Sequence, residues 1–147
     1  MSANPKIAIL LSTYNGAKFL QEQLDSLFSQ TYSNIVVVIR DDGSSDSTPD
    51  ITSYFAESHS DKVHIVDNSK GNLGASGSFS FLIEYVLENK SKLGLNEAYM
   101  MFCDQDDIWH EDKVEQQVNS MLEVENGKSS GDTTKQIKIN TYLQLVT

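Results

Sequence analysis

The sequence predicts an α/β domain built on a mostly parallel, doubly wound sheet. Two observations carry that expectation. Strand-length apolar runs alternate four times with stripes of helical spacing, and the polar motifs follow directly after strands. In open sheets of this kind, ligands sit at the carboxyl ends of the strands.

Lys6 to Thr13 reads as a first buried strand, apolar on both faces and broken by Asn15-Gly16. Leu20, Leu24, Leu27 and Phe28 then form one stripe of an amphipathic helix that ends near Gln30-Thr31. Ile35 to Ile39, a β-branched run, suits a central strand covered on both sides, and Asp41-Asp42-Gly43 terminates it. Thr48-Pro49 predicts an N-cap with proline at the first helical position, and Ile51, Tyr54 and Phe55 supply the apolar stripe.

Val63 to Val66 is a third short strand. After a loop from Asp67 to Gly77, Phe79, Leu82, Ile83, Val86 and Leu87 return to helical spacing. Ala98 to Cys103 is the fourth strand. It runs into Asp104-Gln105-Asp106-Asp107, and Val114, Val118, Met121 and Leu122 mark the next helix. Residues 1–125 are thus expected to form one domain. Residues 126–147 read as a polar linker ending in an edge strand over Ile137 to Thr147.

Composition narrows the class of partner. With 11 basic and 21 acidic residues in 147, the net charge of −10 argues against a nucleic-acid partner, which needs clustered Lys and Arg. The single cysteine, Cys103, allows no internal disulfide and fits a reducing cytosol. The apolar run Ile7 to Leu11 is too short for a signal core or a membrane span. The expectation is a cytoplasmic protein, compatible with peripheral attachment at the inner face of the membrane.

Asp104, Asp106 and Asp107 place three carboxylates in four residues after a buried strand. Their mutual repulsion would be relieved by Mg²⁺ or Mn²⁺, hard cations that take one or two carboxylates together with diphosphate oxygens. A solvated turn with a helix cap would look similar. Asp41-Asp42-Gly43-Ser44-Ser45-Asp46 also ends a strand. A carboxylate there can accept from the imide N–H of uracil or thymine, or hold a ribose hydroxyl, but a plain Asp-Gly turn is the competing reading. Ser12-Thr13-Tyr14-Asn15 could embrace a base, and the glycines of Gly71 to Ser78 permit close backbone approach to a ligand. That segment is neither a P-loop nor a dinucleotide fingerprint. Trp109 flanks the acidic motif and reads equally well as a packing residue. Cys103 beside the acids is a poor nucleophile, and His59, His64 and His110 have no metal-ligand spacing.

Taken in order, LLSTYNGAKFLQEQLDSLFSQTY, VVVIRDDGSSDST, NLGASGSF and MFCDQDDIWHEDKV resemble the family-two glycosyltransferases of the GT-A fold, with its Rossmann-like nucleotide-binding half. Among them, the chain is most similar to bacterial rhamnosyltransferase-like members. The resemblance covers Lys6 to about Glu125. It implies metal-assisted, inverting transfer of a sugar from a UDP- or dTDP-sugar to a saccharide or lipid-linked acceptor in polysaccharide synthesis.

By position, the resemblance puts Thr13, Tyr14 and Asn15 at the base pocket, with Asp41 on the base and Asp42 beside it. It turns Asp104 toward the ribose and makes Asp106 the metal ligand. Asp107 would support the metal or the donor sugar, and Gly74 would close the nucleotide pocket. Family catalytic domains continue past the helix that follows the acidic motif, supplying the acceptor site and an Asp or Glu base. Nothing after Asp107 matches that base motif, so the resemblance implies a member truncated there, either a transferase or a non-catalytic nucleotide-sugar binder. A phospho-receiver domain, the remote alternative, carries its acidic pair after the first strand rather than after the second and fourth.

Overall fold

The computed structural model describes residues 4–127. The expected edge strand from Ile137 lies outside the described residues. The elements run β1 (Ile7–Thr13), α1 (Ala17–Phe28), β2 (Ile35–Asp41), α2 (Thr48–Ser58), β3 (Val63–Ile65), α3 (Gly74–Glu88), α4 (Lys90–Leu93), β4 (Met100–Cys103) and α5 (Lys113–Gly127). The four strands pair in parallel in the order β3-β2-β1-β4.

Strand parity divides the core into two layers. Ile7, Ile9, Leu11, Ile35, Val37, Ile39, Met101 and Cys103 pack with the stripes of α1, α2 and α5. Ala8, Leu10, Val36, Val38, Met100 and Phe102 pack with Leu82 and Val86 of α3 and Leu93 of α4. Both faces of β1 and β2 are therefore dry, which is why those runs are continuously apolar rather than alternating. Val36, Val37 and Val38 are each fully buried, and each is worth about 1.5–3 kcal/mol relative to exposure.

Several boundaries differ from the sequence expectation for identifiable reasons. β2 continues past Ile39, because Arg40 is buried with polar partners and the ladder carries on through Ser12↔Arg40 and Thr13↔Asp41. α3 begins at Gly74 rather than after Gly77, and α5 extends to Gly127, into the segment read as linker. The N-cap position of α2 is Ser47, not Thr48. The Thr48 hydroxyl is engaged elsewhere, accepting the Gly16 N–H at 3.0 Å.

The strand order reverses after β3. The chain returns across the sheet to set β4 beside β1, so the β1/β4 boundary is the topological switch point.

Candidate functional site

A cavity of about 450 Å³ opens at that switch point, lined by Ser12, Tyr14, Asp42, Asn72, Gly74, Ala75, Phe79, Asp104 and Gln105. All four motifs contribute to its wall. A second hollow of about 340 Å³ adjoins it along α3 and shares Ala75, Phe79 and Asp104. The first volume falls within the roughly 300–1,000 Å³ of small-molecule sites.

Parity also separates the two adjacent acids at the end of β2. Asp41 follows Ile35, Val37 and Ile39 onto the α1 side, away from the cavity. Its Oδ1 accepts from the Thr13 hydroxyl at 2.9 Å and the Ser44 hydroxyl at 2.6 Å. Its Oδ2 accepts the N–H groups of Ser44 at 2.9 Å and Gly43 at 3.2 Å. Thr13, likewise buried, is spent on holding Asp41. Asp42 belongs to the α3 side and borders the cavity. Its Oδ1 accepts from Arg40 Nη1 at 2.6 Å and from the Leu73 N–H at 2.7 Å. Oδ2 accepts the Gly74 N–H at 3.0 Å, and Asn72 Nδ2 donates to the Asp42 carbonyl at 3.0 Å.

The loop after β1 is fastened on two sides. Asn15, in the left-handed region at φ 48, accepts the Ser45 N–H at its Oδ1 and donates its own N–H to the Ser44 hydroxyl, both at 2.8 Å. Asp46 accepts from the Ala17 and Thr48 N–H groups at the starts of α1 and α2. Hydrogen bonding to Thr48 holds the Asp46 carboxyl below its usual range. On the other side, Gln105 Oε1 accepts the Tyr14 N–H at 2.7 Å, and a Cβ at Gly16 would lie 3.0 Å from the Gln105 amide carbon. Gly16 lets these loops close on each other. Tyr14 is left half exposed at the cavity.

In the acidic motif, Asp104 to Asp107 are all exposed. Asp104 borders both hollows, and its carbonyl takes a hydrogen bond from Gln23 Nε2. Asp106 stands at φ 70 and its carboxylate has no hydrogen-bond partner among the described residues. Asp107 is not a helix cap; its Oδ2 accepts from Trp109 Nε1 at 3.2 Å, while the Trp109 ring is buried with Lys113 Nζ 4.4 Å from its centroid. Cys103 is buried behind the motif. Desolvation first, and the neighbouring acids second, push its thiol up to about 12, which rules out a thiolate nucleophile at neutral pH. Among the described residues, no three His, Cys, Asp or Glu side chains cluster as a self-sufficient metal site.

Arg40 was not singled out by the sequence, and Ser12, Asn72, Ser78 and Gln105 fell within its motifs without a role of their own. Polar residues next to apolar strands give no periodic signal. Only the burial of a charge inside a strand could have marked Arg40.

The family model for glycosyl transferase family 2 matches residues 8–137. The chain belongs to that family. A dTDP-rhamnosyl transferase, RfbG of Shigella flexneri, is 34% identical over 113 residues, 76% of this chain and 37% of that protein. TarS 1-349 of S. aureus in complex with UDP-GlcNAc superposes with a TM-score of 0.63 at 23% identity, covering 81% of this chain and 32% of that one. A Pyrobaculum calidifontis mannosyltransferase in complex with GDP-Man and Mn²⁺ superposes with a TM-score of 0.60 at 22% identity, covering 80% and 31%. These likenesses establish the GT-A fold. The chain spans between 16% and 43% of the length of eight curated relatives that it matches. No helix among the described residues of this family-2 chain is long and apolar enough to cross a membrane.

Proposed function

We propose that this chain binds the donor in an inverting, metal-assisted glycosyltransferase, which moves a sugar from a nucleoside diphosphate to a hydroxyl of a saccharide or lipid-linked acceptor in bacterial polysaccharide synthesis. The observation that carries the reading is the cavity at the β1/β4 switch point, where Tyr14, Asp42 and Asp104 converge. A flat ring beside Tyr14 would bring its N–H edge to Asp42 Oδ2, which has spare acceptor capacity. A base with a donor at that edge, uracil or thymine, suits it. Asp41, saturated by four internal donors, then shapes the pocket from beneath Thr13 instead of meeting the base.

A diphosphate entering this cavity meets Asp104 at its wall, with Asp106 and Asp107 in the exposed turn that follows, so like charges must be neutralised. Mg²⁺ or Mn²⁺ fits the residues present. Asp106 is exposed and unspent, and such ions need only one or two carboxylates when substrate oxygens complete the shell. Asp106 would hold the ion, Asp107 would flank it with its position set by Trp109, and Asp104 would face the ribose. When bound, the ion supplies charge stabilisation to the departing diphosphate. The protein's own share is to fix the donor, with Asn15, Gln105 and Asp42 tying the loops that surround it.

Thermal unfolding with UDP, dTDP, GDP and UDP-sugars, each with Mn²⁺, Mg²⁺ or chelator, tests the proposal, since a ligand of the folded state raises Tm. The expected result is a rise for uracil or thymine nucleotides that chelation abolishes. Failure of every nucleoside diphosphate to shift the transition would overturn it.

A further inference from the structure

Arg40 lies near the carboxyl end of β2, with no exposed surface, at the position that follows the strand's five apolar residues. A charge there carries a large desolvation penalty, and apolar residues of similar volume often replace buried ion pairs without loss of stability. Its hydrogen bonds reach three separate segments. Nη1 donates to Asp42 Oδ1 at 2.6 Å and to the Ser78 hydroxyl of α3 at 3.0 Å. Nη2 donates to the Gly71 carbonyl at 2.6 Å. The guanidinium carbon lies 5.3 Å from the centre of the Phe81 ring, and Nε has no partner among the described residues. Ser78 in turn accepts from the Ser12 hydroxyl at 2.7 Å. Arg40 itself does not border the cavity, but Ser12, Asp42, Asn72 and Gly74, which do, are its partners or lie one step from them.

We propose that Arg40 is a positioning residue for the nucleoside subsite, resting on the donor-binding reading above. Through Asp42 it fixes the direction of the one carboxylate oxygen left to meet a base. Through Gly71 it holds the backbone of Asn72 to Gly74 as the wall beside that oxygen. A lysine cannot substitute, because three donors on one nitrogen do not reproduce a planar fork that addresses Asp42, Ser78 and Gly71 together.

The test is calorimetry with Mn²⁺ and two probes, UDP and inorganic pyrophosphate, on wild type, Arg40→Lys, Asp42→Asn and the double variant. Wild type should prefer UDP. Arg40→Lys should weaken UDP by about tenfold or more, with pyrophosphate unchanged within about twofold, as expected when a charge-assisted base contact is misaligned. In the Asp42→Asn background, Arg40→Lys should add less than about twofold, since one residue acts through the other. An unchanged UDP preference in Arg40→Lys, equal loss of both probes, or additive effects would overturn the role. If wild type binds pyrophosphate without preferring UDP, the nucleoside subsite itself is absent and the proposal falls with it. If wild type binds neither probe, the donor-binding reading is what has failed. Should Arg40→Lys lose its cooperative unfolding transition, Ser78→Ala removes one acceptor from Nη1 while keeping the charge. It should lower the UDP preference about threefold, the size of a modest hydrogen bond, and an unaltered preference would overturn the role equally.

Discussion

Thr13 and Asp41, opposite each other in the parallel register of β1 and β2, are joined by a hydrogen bond from the Thr13 hydroxyl to Asp41 Oδ1 at 2.9 Å. This bond closes the last rung of the central strand pair with side chains. Asp41→Ala should destabilise the fold by about 1–3 kcal/mol, because it orphans the buried Thr13 hydroxyl and unties the partly buried turn at Gly43 and Ser44. Urea unfolding measures it. A change below about 0.5 kcal/mol, the range of ordinary surface substitutions, would show that Asp41 is free for a ligand role.

Asp106→Asn should leave stability within about 0.5 kcal/mol, since the side chain is exposed and Asn is among the residues that best tolerate positive φ. Binding of UDP should lose its dependence on Mn²⁺. Calorimetry with and without chelator reads this out, and retained metal dependence would remove Asp106 from the metal site.

His64, on edge strand β3, has its pKa lowered by burial and by Lys92 and Lys6. The unfolded chain therefore binds a proton that the folded chain resists. That contribution to stability is present above the ordinary histidine pKa of about 6.5 and is lost as pH falls through the lower folded value. Urea midpoints should fall between about pH 7.5 and 5.5 by more in wild type than in His64→Gln. Parallel profiles for the two proteins would contradict the burial of this ring.

Cys103 should resist iodoacetamide at pH 8 in the folded protein, its thiol being buried and pushed up to about 12. Mass spectrometry should find alkylation only when denaturant is added. Prompt reaction without denaturant would mean that the wall between β4 and α1 opens.

The sequence by itself determined the class of fold, the order of its strands and longer helices, though not the short α4, and the fact that polar motifs gather at one end of the sheet. Those features depend on local period and on burial, which a run such as Ile35 to Ile39 or the stripe Leu20, Leu24, Leu27 displays directly. Only the tertiary structure decided that Asp42, and not Asp41, borders the cavity. Neighbours along a strand point to opposite faces, and it is the packing of α3 on the even face that makes one of those faces the cavity side. The same holds for Arg40 with Gly71, 31 positions away, and for Gln105 with Tyr14, 91 positions away. Such bonds form where the strand order β3-β2-β1-β4 brings loops together. A hydrogen bond requires two atoms within about 3 Å, a condition set by the folded path of the chain and carried by no periodicity along it.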